Sequence, residues 1–119
     1  MIPSVDEVKE WLETHKGSTL TIHKGELSIG KNEVADMDKV DIRLDKVTLN
    51  THEQADPDGY LAQQEFILHG QGKIQSANGE EELPQNVYEI PLYGKVSTRK
   101  EENGFTIETE RAFYSIHLH

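Results

Sequence analysis

The hydrophobic period of this chain changes once, at Ser18. Before it, Val5, Val8 and Leu12 recur at three- and four-residue spacing, with Trp11 and His15 beside them. That is the period of one helical face. After it, apolar and polar residues alternate along run after run, the period of a strand with one buried face. A helix followed only by alternating segments and turns leads to antiparallel strands ordered mostly as neighbours. The expected fold is mainly β, bordering on α+β. One N-terminal helix over residues 4–16 packs on a curved antiparallel meander of six to seven strands over residues 18–119, all in a single domain, 1–119.

The helix is well punctuated. Ser4 can cap it, and Glu7 completes a capping box. Asp6 and Glu7 sit in the first turn, where the helix dipole favours negative charge, and Lys16-Gly17 ends the segment. Beyond it, Thr19–Ile22 and Glu26–Ile29 flank His23-Lys24-Gly25 as in a hairpin, and the polar stretch Lys31–Lys39 reads as a loop. Val40, Ile42 and Leu44 alternate, the phase slips at Asp45-Lys46, and Val47 and Leu49 continue in the other register. Such a slip predicts a β-bulge and a bend.

Asp56-Pro57-Asp58-Gly59 is a turn sequence. It opens a long strand from Tyr60 to Gln75 in which Gly70 and Gly72 mark a tight bend or a close approach. Asn78-Gly79 and Glu80-Glu81-Glu82 form the next connection. Tyr88, Ile90, Leu92 and Val96 follow as a strand, and Pro91 places it at an edge or a bulge. After the Asn103-Gly104 turn, Phe105 and Ile107 open the last strand. Its phase slips near Glu110-Arg111, and Ala112, Tyr114, Ile116 and Leu118 carry its apolar face to the end. Long strands with bulges and glycines curl, so a partly closed barrel under the helix is expected, with a two-sheet sandwich as the competing arrangement.

Composition narrows the function classes. The 119 residues carry 22 acidic and 12 basic side chains, a formal charge of -10, and no cysteine. Disulfides, thiolate metal sites and cysteine catalysis are excluded. An acidic surface repels phosphate backbones and anionic membranes, so neither nucleic acid nor a membrane is an expected partner. No apolar run reaches the length of a membrane span, and the N-terminus lacks the basic and apolar regions of a secretory signal. A soluble, cytoplasmic protein is the expectation.

Four constellations could carry chemistry. Residues 54–65, QADPDGYLAQQE, place Asp56, Asp58, Gly59 and Glu65 at ligand and turn positions of a calcium loop of the EF-hand type. Gln54 at the first ligand position and Pro57 at the fourth both oppose that reading, and neither flank has a helical stripe. His117 and His119 share one side of a strand, and His69 on another strand could add a third metal ligand. The pattern points the pair to solvent. Glu65, Glu89, Glu108 and Glu110 lie within strands as candidate acid–base groups, though all but Glu65 alternate to the outside. Trp11, Tyr60, Phe66, Tyr88 and Tyr114 are either ordinary core or the lining of a pocket between helix and sheet.

The sequence therefore predicts a non-catalytic binding or interaction module without a cofactor. Its site would be the cavity between helix and sheet, or an exposed edge strand. Its partner would be a protein or a small apolar ligand, and a homodimer through an edge strand is one form. A calcium-binding module through residues 54–65 and a Glu/His acid–base enzyme are the alternatives.

Overall fold

The computed structural model describes residues 5–27, 34–51, 64–76 and 79–119. Helix α1 spans Val5–Thr14 and buries Val8 and Leu12 completely. Gly17, at φ 92°, ends the helical segment in the left-handed region that costs glycine least. The Gly17 N–H then donates to the Leu44 carbonyl at 2.6 Å, and the Leu44 N–H donates to Ser18 at 3.0 Å. The exit from the helix is thereby tied to the middle of the sheet system. Ser4, the expected cap, lies outside the described residues.

Ten strand segments follow among the described residues: β1 Thr19–Leu27, β2 Val34–Arg43, β3 Lys46–Thr51, β4 Gln64–His69, β5 Gly72–Ser76, β6 Gly79–Glu82, β7 Val87–Leu92, β8 Ser97–Glu101, β9 Gly104–Glu108 and β10 Ala112–Leu118. They form a seven-stranded sheet in the order β6-β5-β2-β1-β10-β9-β8 and a three-stranded sheet in the order β3-β4-β7. Every pairing is antiparallel. The mainly β fold with one helix is as expected, but the sheets do not close into a barrel.

The backbone passes from one sheet to the other four times, once from β7 to β8 across residues 93–96 and three times at a shared bend. β2 continues into β3 across Leu44-Asp45, β4 into β5 across Gly70-Gln71, and β6 into β7 across residues 83–86. Counting each bent pair once turns ten segments into seven strands, the upper number expected. Strands that switch sheets through a bend make the corner of a sandwich. Between the sheets lies one core. Ile22, Val40, Ile42, Ile107 and Ile116 of the large sheet meet Phe66, Leu68 and Ile90 of the small one, with Val8 and Leu12 of α1. Burying a side chain of this size contributes about 1.5–3 kcal/mol relative to leaving it exposed.

Several local expectations need correction. His23-Lys24-Gly25 is not a turn, because β1 runs straight through it and pairs with β10 from Leu20↔Leu118 to Glu26↔Ala112. The glycine is there for packing: the Phe113 ring occupies the space that a Cβ at Gly25 would need. The stretch 34–39, expected as loop, belongs to β2 and continues the ladder with β1. Glu80–Glu82 is the exposed edge strand β6 and not a connection. A further strand, β8, precedes Asn103-Gly104. The slip near Glu110-Arg111, expected within one last strand, is a hairpin between β9 and β10. Thr109 closes it: its Oγ1 donates to the Ala112 carbonyl and accepts from the Ala112 N–H, both at 3.0 Å.

Candidate functional site

The bend in the strands begins with a mismatch of register. Ile42 faces Gly72 across β2 and β5, and Lys46 faces His69 across β3 and β4. Arg43, Leu44 and Asp45 therefore oppose only Gly70 and Gln71. One extra residue on one side is a bulge, and it turns the strand. Hydrogen bonds survive around it: the Arg43 N–H donates to Gln71 at 2.8 Å and the Asp45 N–H to His69 at 2.7 Å. A Cβ at Gly70 would overlap the Arg43 carbonyl, and one at Gly72 would overlap the Asp41 carbonyl. Only glycine permits the two backbones to come this close.

The third strand bends by another device. The Leu83 N–H donates to Gly72 at 3.0 Å and the Gly70 N–H donates to Asn86 at 2.8 Å. Between these anchors Pro84–Asn86 make a short 3-10 turn, in which Gln85 and Asn86 lie at φ 55° and 56°. Asparagine visits this region readily, but glutamine does so at a cost of about 1 kcal/mol.

On the outer side of the bend this geometry leaves a cleft of about 400 Å³ lined by Arg43, Gln71, Gly72, Lys73, Glu82 and Asn86. The lining is polar because Ile42 and Leu44 are buried, which turns Arg43 outward, and the Lys73↔Glu82 pair shares that face. Lys73 forms an exposed ion pair with Glu80, with Nζ 3.3 Å from Oε1. Glu80 also accepts from Gln75 Nε2 at 2.7 Å. The Gln75 hydrogen bond, then that of Lys73, holds the Glu80 carboxyl below its usual range. Arg43 and Glu82 differ: among the described residues neither side chain forms an ion pair.

Beside the cleft, a second polar group lies on the same outer face. Asp41 is the register partner of both Lys73 and Thr21. Its Oδ1 accepts from Thr21 Oγ1 at 2.8 Å and lies 3.6 Å from His119 Nδ1, which in turn is 3.0 Å from Thr21 Oγ1.

The aromatic residues expected to line a pocket are placed otherwise. Phe66, Tyr88 and Tyr114 are buried in the core. Trp11 is half-buried, packs edge-on to Phe105 with ring centres 5.7 Å apart, and stacks on His15 at 4.5 Å. Tyr60 lies outside the described residues, as do Asp56 and Asp58 of the calcium-type loop. Glu65 is half-buried on β4, paired with Asn50 and Pro91. Pro91 itself sits in β7, an edge strand of the small sheet, as its lack of an N–H requires.

The histidines are also rearranged. His117 meets His23 on the neighbouring strand, with ring centres 5.7 Å apart, while His69 sits in the other sheet. Among the described residues no three His, Asp or Glu side chains could hold one metal ion. Glu89, Glu108 and Glu110 are exposed. The edges of the large sheet are charged: β6 reads Gly-Glu-Glu-Glu, and β8 presents Arg99 and Lys100. Charged edges discourage strand addition. None of the cleft residues stood out in the sequence except Gly72. The signal that points toward them is the phase slip at Asp45-Lys46 with Gly70 and Gly72 downstream, which marks the bend but not the cleft.

No described helix is long and apolar enough to cross a membrane. No solved structure matches the chain. Over 112 residues it is 38% identical to a Bacillus subtilis (strain 168) protein described as uncharacterized protein YmzB, covering 94% of this chain and 92% of that one. The model of the YmzB-like protein family matches residues 1–119, and the chain with its bent double sheet belongs to that family.

Proposed function

We propose that the protein is a binding module whose site is the cleft at the bend, and that it holds the anionic group of a small polar ligand against Arg43. The observation that carries this reading is a guanidinium with no carboxylate partner among the described residues, in a cleft of about 400 Å³, within the roughly 300–1,000 Å³ usual for small-molecule sites. Arginine presents a planar fork of donors that fits carboxylate or phosphate oxygens. Gln71 and Asn86 add neutral amides beside it. The left-handed Gln85-Asn86 pair borders the same cleft, and sparsely populated backbone gathers at functional sites. The site differs from the expected helix–sheet cavity, and it selects polar ligands instead of apolar ones.

The test is a titration of isotope-labelled protein with acetate and with phosphate, followed through its amide resonances. The expected shifts fall on Arg43, Gln71, Gly72, Lys73 and Asn86, and Arg43→Gln abolishes them. Shifts elsewhere, or shifts that survive the substitution, would overturn the reading.

A further inference from the structure

The cleft holds two charges of opposite sign, Arg43 and Glu82, that form no ion pair among the described residues. Lys73, the other cation of the lining, pairs with Glu80, which also accepts from Gln75. What remains is Arg43 on β2 and Glu82 on β6, with β5 between them. Resting on the reading of the cleft as a binding site, we infer that its ligand is a small zwitterion, with a carboxylate or phosphate against Arg43 and an ammonium group against Glu82.

The register sets the scale of the ligand. Arg43 lies opposite Gln71, and Glu82 lies opposite Lys73. Two strand spacings of about 4.8 Å and a two-residue offset of about 7 Å separate the two backbones by roughly 12 Å. Both side chains are long and lie on one face, so the charged tips can approach across the β5 strand between them. A linear ligand with several bonds between its charges suits this gap better than one whose charges share a carbon. The bulk charge of -10 adds a reason for two-point recognition. A simple anion is repelled by such a surface, whereas a zwitterion carries no net charge and loses nothing on approach.

The experiment uses the full chain and three ligand types of matched length. The first is a series of ω-amino carboxylates from glycine to 6-aminohexanoate. The second is the carboxylates lacking the amine, and the third is the amines lacking the carboxylate. Binding is read by amide shifts. The best ω-amino carboxylate is expected to bind about fivefold tighter than its carboxylate analogue, the worth of one partly solvated ion pair. Glu82→Gln removes that advantage, so that amino carboxylate and carboxylate bind alike, and Arg43→Gln removes binding of both. Equal affinity for amino carboxylate and plain carboxylate, unchanged by Glu82→Gln, overturns the zwitterion and leaves the anion site standing. Silence of all three types at the cleft overturns both.

Discussion

The interface beneath the helix and the bend between the sheets are built from opposite materials. Under the helix, Val8 and Leu12 are fully buried and Trp11 lies against Phe105. At the bend, six residues line an open cleft, and two of them carry charges that form no ion pair among the described residues. The first region brings apolar side chains together, and such residues interdigitate at interior density. The second is open because a bulge and two glycines turn three strands at once and leave polar side chains outside. Here the room for a ligand comes from the strand geometry.

Substitutions can break this comparison, beginning with the largest effect. Phe66 is completely buried between the sheets, and Phe66→Ala should cost about 3–5 kcal/mol in urea denaturation. A loss below 1 kcal/mol would mean that the core is loosely filled. Gly70→Ala drives a methyl group into the Arg43 carbonyl. It should cost on the order of 3 kcal/mol, as severe backbone conflicts do, and it should also shift the amide resonances of Arg43 and Asn86. Preserved stability would show that the bend does not depend on the close approach.

Arg43→Gln touches an exposed side chain that forms no ion pair among the described residues, so its effect on stability should stay within about 0.5 kcal/mol. Its effect on anion binding should be complete. A large change in the unfolding midpoint would give Arg43 a structural role instead. The smallest effect concerns acid. Glu80 is held below its usual range by Gln75 and Lys73, and Glu101 by Arg99 and Thr106. A lowered folded-state value means that each contribution is present above the ordinary carboxylate pKa and is lost as pH falls through the lowered one. Side-chain titration should show both midpoints below normal at low salt and closer to normal at high salt, because exposed pairs are screened.

The bend was legible in the sequence and the site was not. The slip from Leu44 to Val47, with Gly70 and Gly72 downstream, marked the bulge because alternation has a strict period of two. The helix was legible for the same reason of period, and Pro91 announced an edge. His23-Lys24-Gly25 misled because glycine is most often a turn residue, and only the Phe113 ring on the paired strand explains it. β6 was missed because an edge strand of three glutamates has no apolar alternation to reveal it. The cleft depends on Arg43, Lys73 and Glu82 from three strands. Their separation in sequence hides a proximity that only the pairing register creates.

The most direct measurement follows the Trp11 indole N–H and the amides of Arg43, Gly72 and Asn86 together while 5-aminopentanoate is added. The predicted result is saturable movement of the three bend signals with the indole unmoved. Movement of the Trp11 indole with a silent bend would place the site under the helix and contradict the account.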